Sequence, residues 1–164
     1  MLVAALAPVS ALAATRAGAT SLVSLESRIL VDLNRIRADH GLLPLRPNPE
    51  LEAAAAEHAD EMLADGYFGH NSADGTAFWQ RIGLFYPYRH YAYWAVGENL
   101  LWTPTAMSAV SALRLWMRSP EHRANILRAR WREIGIAAQY EPDAPGTYDG
   151  YNVTVLAADF GTRR

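Results

Sequence analysis

The order of hydrophobic periods along this chain predicts an α+β domain built on a mostly antiparallel sheet. Apolar residues recur at steps of three and four through the first two thirds of the sequence, the period of amphipathic helices; only near the C-terminus does the period become alternation and then a continuous apolar run. No β-α-β units alternate along the chain, so the strands are expected to pair largely without helical crossovers. With 164 residues, 51% hydrophobic and 20% charged, the chain supports one compact core rather than two.

Leu2 to Ala14 is uncharged, rich in Ala, Leu and Val, and closes on Ala11-Leu12-Ala13, a pattern similar to a secretory signal, although the first basic side chain is Arg16. It falls short of the roughly 20 apolar residues a membrane-spanning helix needs, so no stable transmembrane anchor is expected. Residues 1–20 are expected to form a signal-like or disordered segment, and residues 21–164 a single domain. From Ser21, Leu22, Leu25, Ile29, Leu33 and Ile36 mark the first helix, which Gly41 stops. A loop holding Pro44 and Pro47 leads to Asn48 as cap and Pro49 as first residue of a second helix. Leu51, Ala55, His58 and Met62 share its apolar face, and it ends near Asp65-Gly66.

Asn71 to Thr76 is turn chemistry, followed by a short helical stretch through Phe78, Trp79 and Ile82. The aromatic stretch from Phe85 to Trp102 reads as a loop that lines a cleft, forms an exposed patch, or packs beneath its own chain. Thr103-Pro104 marks the expected start of a third, buried helix carrying Ala106, Val110, Leu113 and Met117, with Ala109, Ala112 and Trp116 beside them. Ser119 caps a short helix with Pro120 at its first position. Ile134, Ile136, Ala138 and Tyr140 then alternate as one strand, and Tyr151 to Phe160 is a strand covered on both faces, with Pro142 to Gly146 between them.

Without cysteine, stability must come from the core, and no disulfide or thiol chemistry is available. A net charge of −2 gives no support for a nucleic-acid surface, and arginines such as Arg37, Arg123 and Arg128 read as solvated faces and ion pairs. The five histidines, His40, His58, His70, His90 and His122, form no local metal motif. His58 reads mainly as a core histidine bonded to backbone, with a direct site role as the alternative. His122 falls in the first turn after Ser119, where the positive helix end favours a neutral ring able to bind a metal or accept a proton.

Trp116-x-x-Ser119-Pro120-x-His122-Arg123-x-Asn125-Ile126-Leu127 resembles the signature of bacterial CAP-superfamily proteins: the cysteine-rich secretory, antigen-5 and pathogenesis-related (SCP-like) family. Other pieces agree in order: Leu33-Asn34-x-x-Arg37, Gly41-Leu42-x-Pro44-Leu45, His58-Ala59-x-x-Met62, Phe68-x-His70, Asp74-Gly75, Gly97-Glu98-Asn99-Leu100, Glu133-Ile134-Gly135 and Phe160-Gly161. The resemblance implies a three-layer α-β-α sandwich of the cysteine-free bacterial branch. It also implies a central cleft in which His70, Glu98 and His122 converge. The family's second cleft acid would fall on Ser119; Ser119 is explained as a helix cap, and Glu121 is a secondary candidate for the missing acid.

His70 and His122 are then candidate ligands for zinc or another divalent cation, with Glu98 nearby and able to hold a ring proton. The alternative is a hydrogen-bonded network that ties the loops around the cleft. Three functions follow: a secreted binding module for a hydrophobic or lipid-like molecule or a cell-surface macromolecule; a metal-dependent hydrolase in which Glu98 activates water; or a structural module of the cell wall or extracellular matrix. The first is preferred, as a monomer or weak dimer, because no nucleophile motif accompanies the cluster.

Overall fold

The computed structural model describes residues 9–164, with side chains from residue 21 onward. The N-terminal part of the signal-like segment, residues 1–8, lies outside the described residues. α1 spans Val9–Asp39 and contributes Ile29 and Leu33, both fully buried. α2, Pro49–Asp65, starts as its sequence requires: the Asn48 side chain accepts from the main-chain N–H groups of Glu50 and Leu51, and Pro49 occupies the first turn. α3 spans Phe78–Phe85, α4 Ala109–Arg118 and α5 Pro120–Ile126.

Four strands form the sheet in the order β1-β3-β4-β2: β1 is Arg46–Pro47, β2 Trp94–Thr103, β3 Glu133–Glu141 and β4 Val153–Arg163. β2 and β3 flank β4 antiparallel, and only the two-residue β1 runs parallel, against β3. β4 is buried along almost its whole length. Its even-numbered residues Leu156, Ala158 and Phe160 pack with Trp116, Ile126, Trp131 and the α1 side chains. Its odd-numbered residues Val153, Val155 and Ala157 pack with Ala55, Ala59 and Met62 of α2. The period-two alternation of the central strand thus separates two helical layers, α1/α4/α5 and α2/α3, and the three-layer sandwich follows.

Three expectations are corrected. The third helix starts at Ala109 rather than at Thr103-Pro104, because β2 extends through Thr103 and Ser108 supplies the cap to Ser111 N–H. Its buried stripe is Ala109, Ala112, Leu113 and Trp116, and Val110 is solvent-exposed. The aromatic stretch is not one loop: it contains the end of α3 and much of edge strand β2. Arg37, expected on a solvated face, is fully buried; its guanidinium donates to the carbonyls of Leu43, Ile126 and Arg128 and so ties α1 to the end of α5.

Gly135 of β3 sets how closely the α2 layer sits on the sheet. A Cβ there would lie 2.0 Å from the Glu52 nitrogen and 2.1 Å from the Leu51 carbonyl carbon, so only a glycine lets the start of α2 rest directly on this rung. The same rung carries Asp159 of β4 and Glu98 of β2.

Candidate functional site

Successive residues of a strand face opposite sides of the sheet, and on edge strand β2 the alternation falls on Glu98 and Asn99. Glu98 faces the α2/α3 layer. Its carboxylate is almost wholly buried: Oε1 lies 2.7 Å from His70 Nδ1, and Oε2 accepts from Arg81 Nη2 at 2.5 Å. Because Oε1 is an acceptor, Nδ1 of His70 carries the proton, which leaves Nε2 as the other ring nitrogen. Arg81, on the buried side of α3, also donates to the carbonyls of Ala54 and His70, so one guanidinium joins α2, the His70 loop and β2. His58 is fully buried on α2, with Nε2 donating to the carbonyl of Gly69, the residue before His70, and Nδ1 beside Glu61.

Asn99 faces the other layer. Its Nδ2 donates to the carbonyl of His122, and Asn125 of α5 donates to both Asn99 Oδ1 and the Glu98 carbonyl. Gly97 makes this approach feasible, since a Cβ there would lie 2.9 Å from both Asn125 Oδ1 and the Trp131 ring. The Ser119 side chain accepts from His122 N–H at 3.5 Å, a long capping bond, and Glu121 is exposed in the same first turn. A groove of roughly 520 Å3 follows the β2 edge between the layers, lined by His70, Asn71, Phe78, Val96, Gly97, Glu98, Asn125, Arg128 and Trp131.

The electrostatics follow the contacts. The hydrogen bond to Glu98 raises the His70 pKa above its ordinary value against the effect of burial. Burial, and then the charge of His70, lower the His122 pKa. Burial alone would push Glu98 up, but the His70 hydrogen bond and the Arg81 charge outweigh it and hold the carboxyl below the usual carboxylate range. The structure therefore joins His70 to Glu98 directly, while His122 meets the centre through its main chain, its carbonyl accepting from Asn99 Nδ2, and its ring is not among the residues that line the groove.

Two buried residues of this centre, Arg81 and Asp159, were not singled out from the sequence. Asp159 is fully buried opposite Glu98, and burial raises its pKa well above the ordinary value, with the Glu98 charge adding to the shift. The signal for it was present: a lone acid inside the apolar run Val153 to Phe160 is rarely buried without a role for its oxygens.

A family model, CAP: Cysteine-rich secretory protein family, matches residues 30–156. The chain belongs to this family. Among curated relatives of this CAP domain is the uncharacterized protein YkwD of Bacillus subtilis, 30% identical over 126 residues, which are 74% of this chain and 46% of that protein. The uncharacterized membrane protein YlbC of the same organism is 26% identical over 111 residues, 68% of this chain and 30% of that protein. The CAP domain thus spans less than half the length of either relative. Two solved structures share the fold. An extracellular protein of Bacillus anthracis containing an SCP domain is 23% identical with a TM-score of 0.63, covering 85% of this chain and 40% of that one. An outer surface protein of Borrelia burgdorferi is 20% identical with a TM-score of 0.64, covering 82% and 90%. No described helix is long and apolar enough to cross a membrane.

Proposed function

We propose that this CAP domain is an extracellular binding module whose β2-edge groove takes a small amphipathic, lipid-like molecule, with the His70–Glu98–Arg81 network as a fixed wall of the groove. One observation carries the reading: each oxygen of Glu98 already accepts a charge-assisted hydrogen bond, and the carboxyl is held below its ordinary pKa. A general base works best with a pKa near the working pH, so this carboxylate is poorly suited to activating water. Phe78 and Val96 offer the groove apolar surface, while Asn71, Asn125 and Arg128 offer polar contacts for a headgroup. The extracellular setting rests on the signal-like N-terminus and on the family's secretory members.

Zinc fits this donor set only in part. With both Glu98 oxygens engaged, the nitrogen donors for a metal are Nε2 of His70 and the ring of His122, fewer than the three protein ligands of catalytic zinc sites. A bound zinc would supply Lewis-acid chemistry. The chain's own residues instead orient His70 and hold its proton on Nδ1. The module reading needs no metal.

Native mass spectrometry of protein purified without chelator tests both points. The expected result is a co-purifying amphiphile whose retention is weakened by Arg128→Ala, a change at an exposed groove residue, and no stoichiometric zinc. Tight zinc binding abolished by His122→Ala would favour the metal-dependent alternative. Protein free of both, with an unoccupied groove and wall-bound in cells, would favour the structural one.

A further inference from the structure

Asp159 lies on central strand β4, paired with Glu98 of β2 on one side and Gly135 of β3 on the other. It has no exposed surface, and neither carboxyl oxygen has a donor within reach. The charged groups acting on it are Glu98 from β2 and Arg81 from α3; the rings of His58 on α2 and His70 on the loop between the helices lie on the same face around Glu98, while β3 contributes only glycine to this rung. Arg81 is the one guanidinium among them, and it spends its contacts on Glu98 and on the carbonyls of Ala54 and His70; its Nε has no partner.

Two carboxylates side by side are both acceptors, so their contact becomes a hydrogen bond only when one of them holds a proton. An ionised Asp159 would be a second buried anion beside a single buried cation, with no hydrogen bond at all. We propose that Asp159 is a carboxylic acid in the folded protein and donates its proton to Glu98, positioning the groove carboxylate from the interior while Arg81 and His70 hold it from the other sides. Glu98 then accepts three hydrogen bonds and carries the only negative charge of the pair. Asp159 acts through Glu98 and does not itself face the groove. Burial and the neighbouring anion both favour its neutral form.

The sign of the pH dependence follows. An unfolded aspartate loses its proton near about pH 3.9, whereas the native one keeps it to higher pH. Between these values the native state binds one proton more than the unfolded state, so stability falls as pH rises. Asparagine does not titrate and also donates a hydrogen bond.

Chemical denaturation of the parent protein and Asp159→Asn from pH 5 to 8 reads the difference. The ratio of the two unfolding constants should move in favour of Asp159→Asn by up to tenfold per pH unit. Asp159→Ala, which lacks the donor, should shift the ring NMR signals of His70, while Asp159→Asn leaves them near their parent positions. A pH-independent ratio, or one that moves the other way, would overturn the proposal. Infrared spectra of the parent protein, labelled with 13C at its aspartate carboxyls, keep the test open even if the variants fail to fold. An isotope-shifted protonated-carboxyl C=O band at neutral pH is expected, and its absence would also overturn the proposal.

Discussion

The two sides of edge strand β2 use opposite chemistry to hold the same groove. Toward α2 and α3, Glu98 gathers a buried guanidinium, Arg81, a solvent-exposed imidazole, His70, and the buried carboxyl of Asp159 around one anionic centre. Toward α5, one residue further along the strand, Asn99 and Asn125 make only neutral hydrogen bonds, to each other and to the carbonyls of His122 and Glu98. His70 and His122 record the difference, since His70 is pushed up by its carboxylate and His122 down by burial. Two histidines that the family resemblance assigns to one cleft thus have unlike roles. His70 is a charge partner, and His122 is a largely neutral ring whose main chain is anchored.

The largest effect should come from breaking the charged side. Arg81→Met leaves Glu98 buried without its guanidinium and should cost about 3–5 kcal/mol in denaturant unfolding. On the neutral side Asn125→Ala leaves Asn99 Oδ1 and the Glu98 carbonyl short of a donor and should cost about 1–3 kcal/mol. Equal costs would mean that the two sides do not differ as their contacts imply. The smallest effect is at the α5 cap, where Ser119→Ala should cost about 0.5–1 kcal/mol, because the bond to His122 N–H is long. A cost above 2 kcal/mol by the same method would show that the cap holds more of the site than one turn.

Much of the fold was legible because its signals are local. Asn48-Pro49 and Ser119-Pro120 place two helix starts within their own dipeptides, and the apolar run to Phe160 marks a strand covered on both faces. Thr103-Pro104 misled because a cap-and-proline pair also suits a strand end, and only tertiary pairing with Thr154 keeps Thr103 in β2. The aromatics crowded just before β2, from Phe85 to Tyr93, hid where the strand begins, and with it the rung that carries Glu98. Arg81 reads locally as one more polar residue of an amphipathic helix; its burial depends on Glu98, which lies on another element. The pairing of His70 with Glu98 came from family resemblance, since no spacing along the chain encodes a contact across 28 residues.

A proton NMR titration of the histidine rings tests the contrast most directly. The His70 pair stabilises the fold fully below the unfolded value of about 6.5, and that contribution is lost as pH rises through its raised folded pKa. For His122 the sign is opposite: the unfolded chain takes up the proton first as pH falls, so its burial costs stability below about 6.5. The account predicts that His70 titrates above this value and His122 below it, and that Glu98→Gln lowers the His70 midpoint. Coincident midpoints, or His122 titrating above His70, would contradict it.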